Sequence, residues 1–304
     1  MSEHDAECES SSSGATISRR RFLKMGLCAA TLTGMGVACA HGYTSGSCGL
    51  EDISVERVAM PVKDLPLGLD RFKIVQMSDF HFDSYTRMAL MESAIDAANR
   101  LEPDIVVLTG DYITSDVKKI HDLSQVLRRL RPRIGVFGVL GNHDVAHGPK
   151  VVQKGLEKAG VTVLRNRGVE FDVGGDSIHL AGLDDALHGR PNFKAAMAEH
   201  SEGTPSVLLM HEPDYADRVV GSELVSVQLS GHSHGGQVRL PGIGALCLPI
   251  MGRKYDHGLY RLGKAWLYTN RGIGAVTVPV RIGCPPEVTE ITLLSQNAAT
   301  ETEA

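Results

Sequence analysis

The chain has 304 residues, of which 42% are hydrophobic and 22% charged, as in an ordinary soluble globular protein. Its net charge is -5 and no run rich in Lys and Arg lies beyond the N-terminus, so nucleic acid is not expected as a partner. Positive charge for phosphate chemistry would have to come from bound metal. Four of the six cysteines precede residue 50, so a disulfide framework is disfavoured, and Cys247 and Cys284 are expected to be buried, inert thiols.

The first 50 residues are predicted to be an export signal and a linker. A basic run with paired arginines, Ser18–Lys24, precedes an apolar run of small residues that ends near Ala40. This layout matches the twin-arginine pattern, so the twin-arginine machinery is an expected partner and the location is expected to be extracytoplasmic, at the cell surface or membrane. A plain amphipathic helix is the less favoured alternative. Cleavage after Ala40, lipidation at Cys39 and an uncleaved anchor all stay open.

Short apolar runs and helical stretches then alternate through residues 51–295, which we predict to form one domain followed by a disordered tail at 296–304. The apolar runs are rich in β-branched residues and end at turn residues, which predicts buried strands at Phe72–Met77, Ile105–Thr109, Val136–Leu140, Ile178–Leu183, Val207–Met210 and Leu224–Leu229. Helices are predicted at Thr86–Arg100, Asp116–Arg131, 149–159 and 191–200. This alternation predicts an α/β fold, and the stretch from 236 to 294 is expected to complete a second sheet.

Polar residues cluster directly after five of the apolar runs. The clusters are Ser78-Asp79-Phe80-His81, Gly110-Asp111, Gly141-Asn142-His143-Asp144, His211-Glu212-Pro213 and Gly231-His232-Ser233-His234-Gly235-Gly236. Ligands in open α/β sheets bind beyond the carboxyl ends of the strands, so neighbouring strands would bring all five clusters to one place. Asp79 and His81 are two residues apart, as are His232 and His234, and in extended chain each pair can reach one metal ion.

The candidate ligands are two carboxylates, four imidazoles and one amide, which suits two ions better than one. Nitrogen and oxygen ligands without thiolate indicate Mn, Fe, Zn or Co. Two divalent ions supply about +4 against about −3 from Asp79, Asp111 and a bound hydroxide, so the centre can hold an anionic phosphoryl group. Paired ions roughly 3.5–4 Å apart lower the pKa of a bridging water and clamp both ends of an in-line displacement. Taken alone, each Asp or His would more often belong to a turn or a core.

In this order, the clusters resemble the motifs Asp-x-His, Gly-Asp, Gly-Asn-His-Asp/Glu, lone His and Gly-His-x-His of the calcineurin-like metallophosphoesterases. The chain after Gly231 also resembles a branch of small bacterial phosphoesterases that are often exported by the twin-arginine route. This resemblance implies a four-layer α-β-β-α sandwich with two mixed sheets. It also implies two divalent ions, with Mn favoured, and the ligands follow: Asp79, His81 and His234 for the first ion, Asn142, His211 and His232 for the second, and Asp111 for both.

The resemblance also implies roles at the substrate. His143 would protonate the leaving oxygen or stabilise the transition state, Asn142 would contact the phosphate, and Asp144 would orient the His143 ring. The segment after Asp111 lacks the Arg of protein Ser/Thr phosphatases, and Asp144 replaces their Glu, so protein phosphatase activity is disfavoured. Weaker candidates are Asp184 and Asp185 behind the ligands, where a plain turn is favoured, and Arg271 on a phosphate, where a structural surface role is equally open. His188 and His257 are candidates for a substrate cleft, although most such histidines are simply exposed.

Three functions stay open. The first is a phosphodiesterase or pyrophosphatase that uses water activated by the two metals. Its branch resembles enzymes that cleave UDP-2,3-diacylglucosamine, whereas the export signal favours a lipid or another cell-envelope phosphodiester and a peripheral association with the membrane or cell wall. The second is a phosphomonoesterase on the same site. The third is a non-catalytic metal-binding surface protein, which the complete ligand set disfavours. The loops at 82–87, 112–118, 145–150 and 184–192 are expected to select the substrate.

Overall fold

The computed structural model describes residues 52–83 and 86–296, so the predicted export signal and all of the predicted tail after residue 296 lie outside the described residues. The strands within this part are β1 (Ser54–Val62), β2 (Lys73–Met77), β3 (Ile105–Leu108), β4 (Gly135–Gly138), β5 (Val161–Val163), β6 (Arg167–Val173), β7 (Asp176–Gly182), β8 (Ser206–Leu209), β9 (Val227–Ser230), β10 (Arg239–Leu240), β11 (Gly244–Ala245), β12 (Gly258–Leu262), β13 (Ala265–Thr269) and β14 (Glu287–Ser295). In the same ranges no helix is long and apolar enough to cross a bilayer.

Two six-stranded mixed sheets contain most of these strands. The first has the order β1-β14-β2-β3-β4-β5 and the second β12-β13-β9-β8-β7-β6. Strands β2 to β5 run parallel, as do β7, β8, β9 and β13, whereas β14 is antiparallel to β2, β12 to β13, and β6 to β7. The carboxyl ends of the parallel strands in each sheet therefore lie at one edge of that sheet.

Helices cover the outer face of each sheet. They are α1 (Met88–Arg100), α2 (Ile120–Leu127), α3 (Asn142–His147), α4 (Pro149–Lys158), α5 (Phe193–Ala196) and α6 (Ala216–Val219). Alternation along β3 explains the layers: Val106 and Leu108 pack with α1, α2 and α4, whereas Ile105 and Val107 pack against the second sheet. A third apolar cluster joins β7 and β8 to α5 and the segment around α6. These layers confirm the predicted α-β-β-α sandwich.

Three predicted elements differ in the structure. The strand expected to start at Leu224 starts at Val227, and Leu224 is 42% exposed. The helix expected over 191–200 is the single turn of α5, because only Phe193, Ala196 and Met197 of this stretch reach the apolar cluster. From the last part of the chain, β12 and β13 extend the second sheet as expected, but β14 enters the first.

The two cysteines of the described part behave differently from each other. Cys284 is buried and free, as expected, whereas Cys247 is free but exposed. Cys247 follows the β10–β11 hairpin, in a segment that packs only partly on the sheets, so its expected burial was wrong.

Candidate metal centre

The predicted clusters meet where the two sheets come together. Gln76, at the end of β2, donates from Nε2 to Thr109 Oγ1 at 3.0 Å and to the carbonyl oxygen of Ser230, in β9, at 2.8 Å. The two bonds place the Asp79 and Asp111 turns of the first sheet beside the His232 turn of the second. The clusters therefore meet as the strand-end reasoning predicted, although their strands belong to two sheets rather than being neighbours in one.

The backbone is unusual at most of the candidate ligands. Left-handed φ values between 39° and 68° occur at Asp79, His81, Asp111, His232 and His234. Non-glycine residues rarely adopt this conformation, and it concentrates at functional sites where the surrounding structure enforces it. Here it bends the chain sharply within a few residues, so that the side chains of each turn point towards the centre.

Two glycines allow the turns to approach each other. A Cβ atom at Gly231 would collide with Ser78 Oγ and with the carboxylate of Asp79, and one at Gly141 would collide with the carboxylate of Asp111. Glycine at these positions is thus required by close approach of neighbouring turns.

The first ligand group consists of Asp79, His81 and His234, which are all buried. One possible ligand atom from each lies within 4.8 Å of the other two, and His234 Nε2 is 3.4 Å from Asp79 Oδ1. Both oxygens of Asp79 also accept from the backbone N–H of His232, at 3.1 and 3.0 Å. Such fixed carboxylates and imidazoles are suited to one transition-metal ion.

The second group consists of Asp111, His211 and His232, whose nearest ligand atoms also lie within 4.8 Å of one another. Asn142 joins it, because its Oδ1 is 3.2 Å from His211 Nε2 and 3.0 Å from His232 Nδ1. The far nitrogens of both rings are held by carbonyl oxygens, His211 Nδ1 by Thr109 at 2.6 Å and His232 Nε2 by Ile250 at 2.8 Å. A carbonyl only accepts, so the nitrogens that face Asn142 are the ones left for a metal.

Asp111 lies between the two groups. Its Oδ2 is 3.4 Å from His81 Nε2 and 3.2 Å from His211 Nε2. In the described part of the chain His81 Nε2 is buried and makes no hydrogen bond, and such an atom is costly unless it has another partner. This orphaned nitrogen, together with the mixed oxygen and nitrogen donors, fits a pair of divalent ions.

Charge is distributed unevenly over these ligands. Burial opposes charge on His211, but Asp111 outweighs it and holds the pKa of that ring well above its usual value. Burial likewise acts to raise the pKa of Asp111, yet His211 and His81 hold it well below the usual range. Burial, followed by the charges of neighbouring histidines, lowers the pKa values of His232 and His234. Without metal, an ion pair between His211 and Asp111 therefore lies beside two rings, His232 and His234, on which burial opposes a charge.

His143 lies beside both ligand groups, and it was not predicted to be a metal ligand itself. Its ring meets the His81 ring edge-on at 4.8 Å between centroids, and its backbone N–H donates to Asp111 Oδ1 at 2.9 Å. Its Nδ1 donates to the carbonyl oxygen of Thr114 at 2.7 Å. The Nδ1 proton is fixed by this bond, so Nε2 is the nitrogen available for chemistry.

Asp144 does not hold the His143 ring, as the family resemblance implied it would; among the described residues its carboxylate contacts only other groups. Its carboxylate accepts from the backbone N–H groups of Gly141, Tyr112 and Ile113 at 2.9, 3.0 and 3.3 Å. Burial and the nearby charge of Asp111 raise its pKa to about 7. Asp144 thus joins the Asp111 turn to the start of α3, and the carbonyl oxygen of Thr114 is the group that accepts from His143 Nδ1.

Most of the weaker candidates have other partners. Arg271 pairs with Glu56 and Glu287, so it serves the structure and is not free to bind a phosphate. Asp184 binds the Arg165 guanidinium at 2.8 and 3.1 Å, and Asp185 accepts from backbone N–H groups of its own loop. His257 contacts Asp256 at 3.2 Å, and His188 is exposed.

Arg281 is a residue near the ligands that sequence reasoning missed. It is 3% exposed, and its Nη2 lies 3.2 Å from His234 Nδ1. It also donates to the carbonyl oxygens of Gly274, Arg271 and Cys284. Its place in an apolar stretch outside every motif gave no signal that it lies behind the centre.

Comparison with known proteins gives a consistent result. A model of the family described as calcineurin-like phosphoesterase matches residues 72–236, just over half of the chain. The metallophosphoesterase YkuE of Bacillus subtilis is 36% identical over 92% of this chain and 99% of its own length. Phosphodiesterase YaeI of Escherichia coli is 31% identical over 91% of this chain and 100% of its own length.

A transmembrane protein with a metallophosphoesterase domain from Danio rerio is 30% identical over 78% of this chain and 56% of its own length. The matches to the two bacterial proteins span nearly the whole of each chain, whereas this one spans about half of the fish protein. The chain belongs to the calcineurin-like metallophosphoesterase family, and it is accordingly a metal-binding hydrolase of phosphoric esters.

Proposed function

We propose that this chain hydrolyses a phosphodiester or pyrophosphate bond at a two-metal centre. The observation that carries the proposal is the position of Asp111, which lies within 3.4 Å of a histidine from each ligand group. Bound there, two divalent ions would supply a water activated at neutral pH and positive charge for the phosphoryl oxygens. Mn is the favoured ion, since the site offers carboxylate and amide oxygens besides imidazoles.

The protein's own groups would position the phosphate and handle the proton. Asn142 directs Oδ1 at His211 and His232, which leaves its Nδ2 to donate to a phosphoryl oxygen. His143 keeps one proton on Nδ1 for Thr114 and would deliver a second from Nε2 to the leaving oxygen. The assignment of each ligand to the first ion, the second ion or both stays the prediction made from the sequence.

A diester or pyrophosphate is favoured over a monoester by the positions of the nearby arginines. The phosphate of a monoester carries one more negative charge than that of a diester, and an arginine guanidinium binds such a dianion well. Arg271 is engaged by Glu56 and Glu287, and Arg281 donates to carbonyl oxygens, so neither guanidinium is available to a dianion. The name of the Escherichia coli relative, a phosphodiesterase, agrees with this preference.

An exposed isoleucine beside a candidate metal ligand supports a lipid or another envelope phosphodiester as the substrate. Ile250, whose carbonyl oxygen binds the His232 ring, is 64% exposed, and Ile243 in the same apolar segment is 71% exposed. An exposed isoleucine directly beside a metal ligand could contact an acyl chain or another apolar group of a substrate. The predicted export signal favours a substrate outside the cytoplasm over UDP-2,3-diacylglucosamine, which is made inside it.

The reaction can be tested with the full chain loaded with Mn. We expect faster cleavage of bis-p-nitrophenyl phosphate than of p-nitrophenyl phosphate, and a loss of about 10²- to 10⁴-fold in His143→Ala. His121→Ala, an exposed histidine on α2, is the matched control and should keep full activity. Faster monoester cleavage would favour the phosphatase alternative, and no cleavage with two ions bound would favour the surface-protein alternative.

The lipid preference needs a separate comparison. Ile250→Ser should raise KM for a phospholipid while KM for bis-p-nitrophenyl phosphate changes little. Leu67→Ser is the matched control, because Leu67 is 59% exposed in the turn before β2. Equal effects of Ile250→Ser on both substrates would remove this support for a lipid.

A further inference from the structure

Thr114 contacts two histidines of the centre, the candidate ligand His81 and the candidate proton donor His143. The Thr114 hydroxyl lies 3.3 Å from His81 Nδ1, and the Thr114 carbonyl oxygen lies 2.7 Å from His143 Nδ1. Thr114 belongs to none of the family motifs quoted above. It is half-buried, and the two residues before it are held by the carboxylate of Asp144.

The direction of the hydroxyl bond follows from a second contact. Thr114 Oγ1 also lies 2.9 Å from Asp83 Oδ2, and an ionised carboxylate can only accept. A hydroxyl carries one proton, which Thr114 donates to Asp83, so Oγ1 must accept from His81. His81 Nδ1 therefore carries a proton, and Nε2, which lies 3.4 Å from Asp111 Oδ2, is the nitrogen left for a metal ion.

We propose that Thr114, oriented by Asp83, is a positioning residue that holds the His81 ring so that Nε2 can bind a metal ion. The inference rests on the proposed role of His81 as a ligand. Groups that accept from the far nitrogen of a metal-binding histidine fix its tautomer and rotation, and losing one typically weakens metal binding about 10- to 100-fold. The backbone of His81 is fixed too, since Thr86 Oγ1 donates to its carbonyl oxygen at 2.9 Å.

Thr114→Val tests the hydroxyl alone, because it keeps the shape of the side chain and the carbonyl that contacts His143. Titration of the metal-free full chain with Mn, followed by calorimetry, should show one of two ions bound about 10- to 100-fold more weakly. Thr114→Ser keeps the hydroxyl and should restore binding to within about threefold of the parent. Ser115→Ala, an exposed hydroxyl next in the chain, should bind Mn like the parent.

Two results would overturn the inference. One is unchanged Mn binding in a folded Thr114→Val, and the other is an equal loss in Thr114→Ser and Thr114→Val. Should Thr114→Val not fold, ¹⁵N NMR of the unaltered metal-free chain still decides, because His81 Nδ1 must carry a proton, and a His81 ring whose only proton is on Nε2 would also overturn the inference. These readouts do not depend on hydrolysis, so a chain that binds Mn as expected but cleaves no phosphoester would contradict the proposed function alone.

Discussion

The His211–Asp111 ion pair is the single-residue feature with the clearest consequence for metal binding. Its buried ring has a pKa well above the usual value because Asp111 faces it. A metal needs the unprotonated nitrogen, so an ion that binds here has to displace a proton. Before a metal ion binds, the His211 ring is therefore protonated, and its positive charge offsets the negative charge of Asp111.

This displacement can be measured. Below the raised pKa of His211 the ring holds its proton, so the apparent Mn affinity should rise as the pH rises towards that pKa, and a proton should be released on binding at pH 7. Calorimetry in two buffers of different ionisation enthalpy reports the number of protons. Binding without proton release at pH 7 would contradict the raised pKa.

Asp144 gives a second prediction at the scale of one residue. Asn at this position keeps one acceptor oxygen where three N–H donors converge, so Asp144→Asn should lower the free energy of unfolding by about 1–3 kcal/mol. Asp122→Asn, exposed on α2, is the control for denaturant unfolding. A variant with unchanged stability and a defect matching that of His143→Ala would instead restore the ring-orienting role implied by the resemblance.

At the scale of elements, the strand ends were predictable and the fine geometry of the turns was not. Apolar runs followed by Asp79, Asp111 or His211 placed these residues just beyond strand ends, where ligands bind in α/β folds. The division of these strands between two sheets was not visible in the runs. The left-handed backbone at the ligands depends on contacts between turns distant in sequence, as does the partner of Asp144. The course of β14 was missed because its alternating pattern fits either sheet.

The close approach of two turns makes a specific prediction. Gly231→Ala should destabilise the protein by about 1–3 kcal/mol or more and weaken Mn binding, since the added Cβ meets Ser78 and Asp79. Gly221→Ala is the matched control, because a Cβ there meets nothing within 4 Å. Thermal unfolding of both variants separates the two sites, and equal melting temperatures would refute the close-approach argument.

For the molecule as a whole, the metal centre joins the two sheets. Asp79, His81, Asp111 and Asn142 come from the first, and His211, His232 and His234 from the second. Without ions the join depends on apolar packing between the sheets and a few hydrogen bonds such as Gln76 to Ser230. Ions bound only by the folded chain should add stability by mass action.

Metal removal checks this link. At free Mn about 100-fold above the dissociation constant, one site contributes about 2.7 kcal/mol, so chelation should lower the melting temperature clearly. His232→Ala should lose part of that increment, and His121→Ala should keep all of it. A melting temperature that is insensitive to chelation would mean that the ions do not join the sheets.

The most direct test of the two-metal account is diesterase activity measured against the number of Mn ions bound per chain. We expect little cleavage of bis-p-nitrophenyl phosphate with one ion and full activity as the second binds, with Asp111→Asn unable to reach that state at the same Mn concentration. Full activity with one ion per chain, or an active Asp111→Asn that holds only one, would contradict a centre in which Asp111 joins two ions.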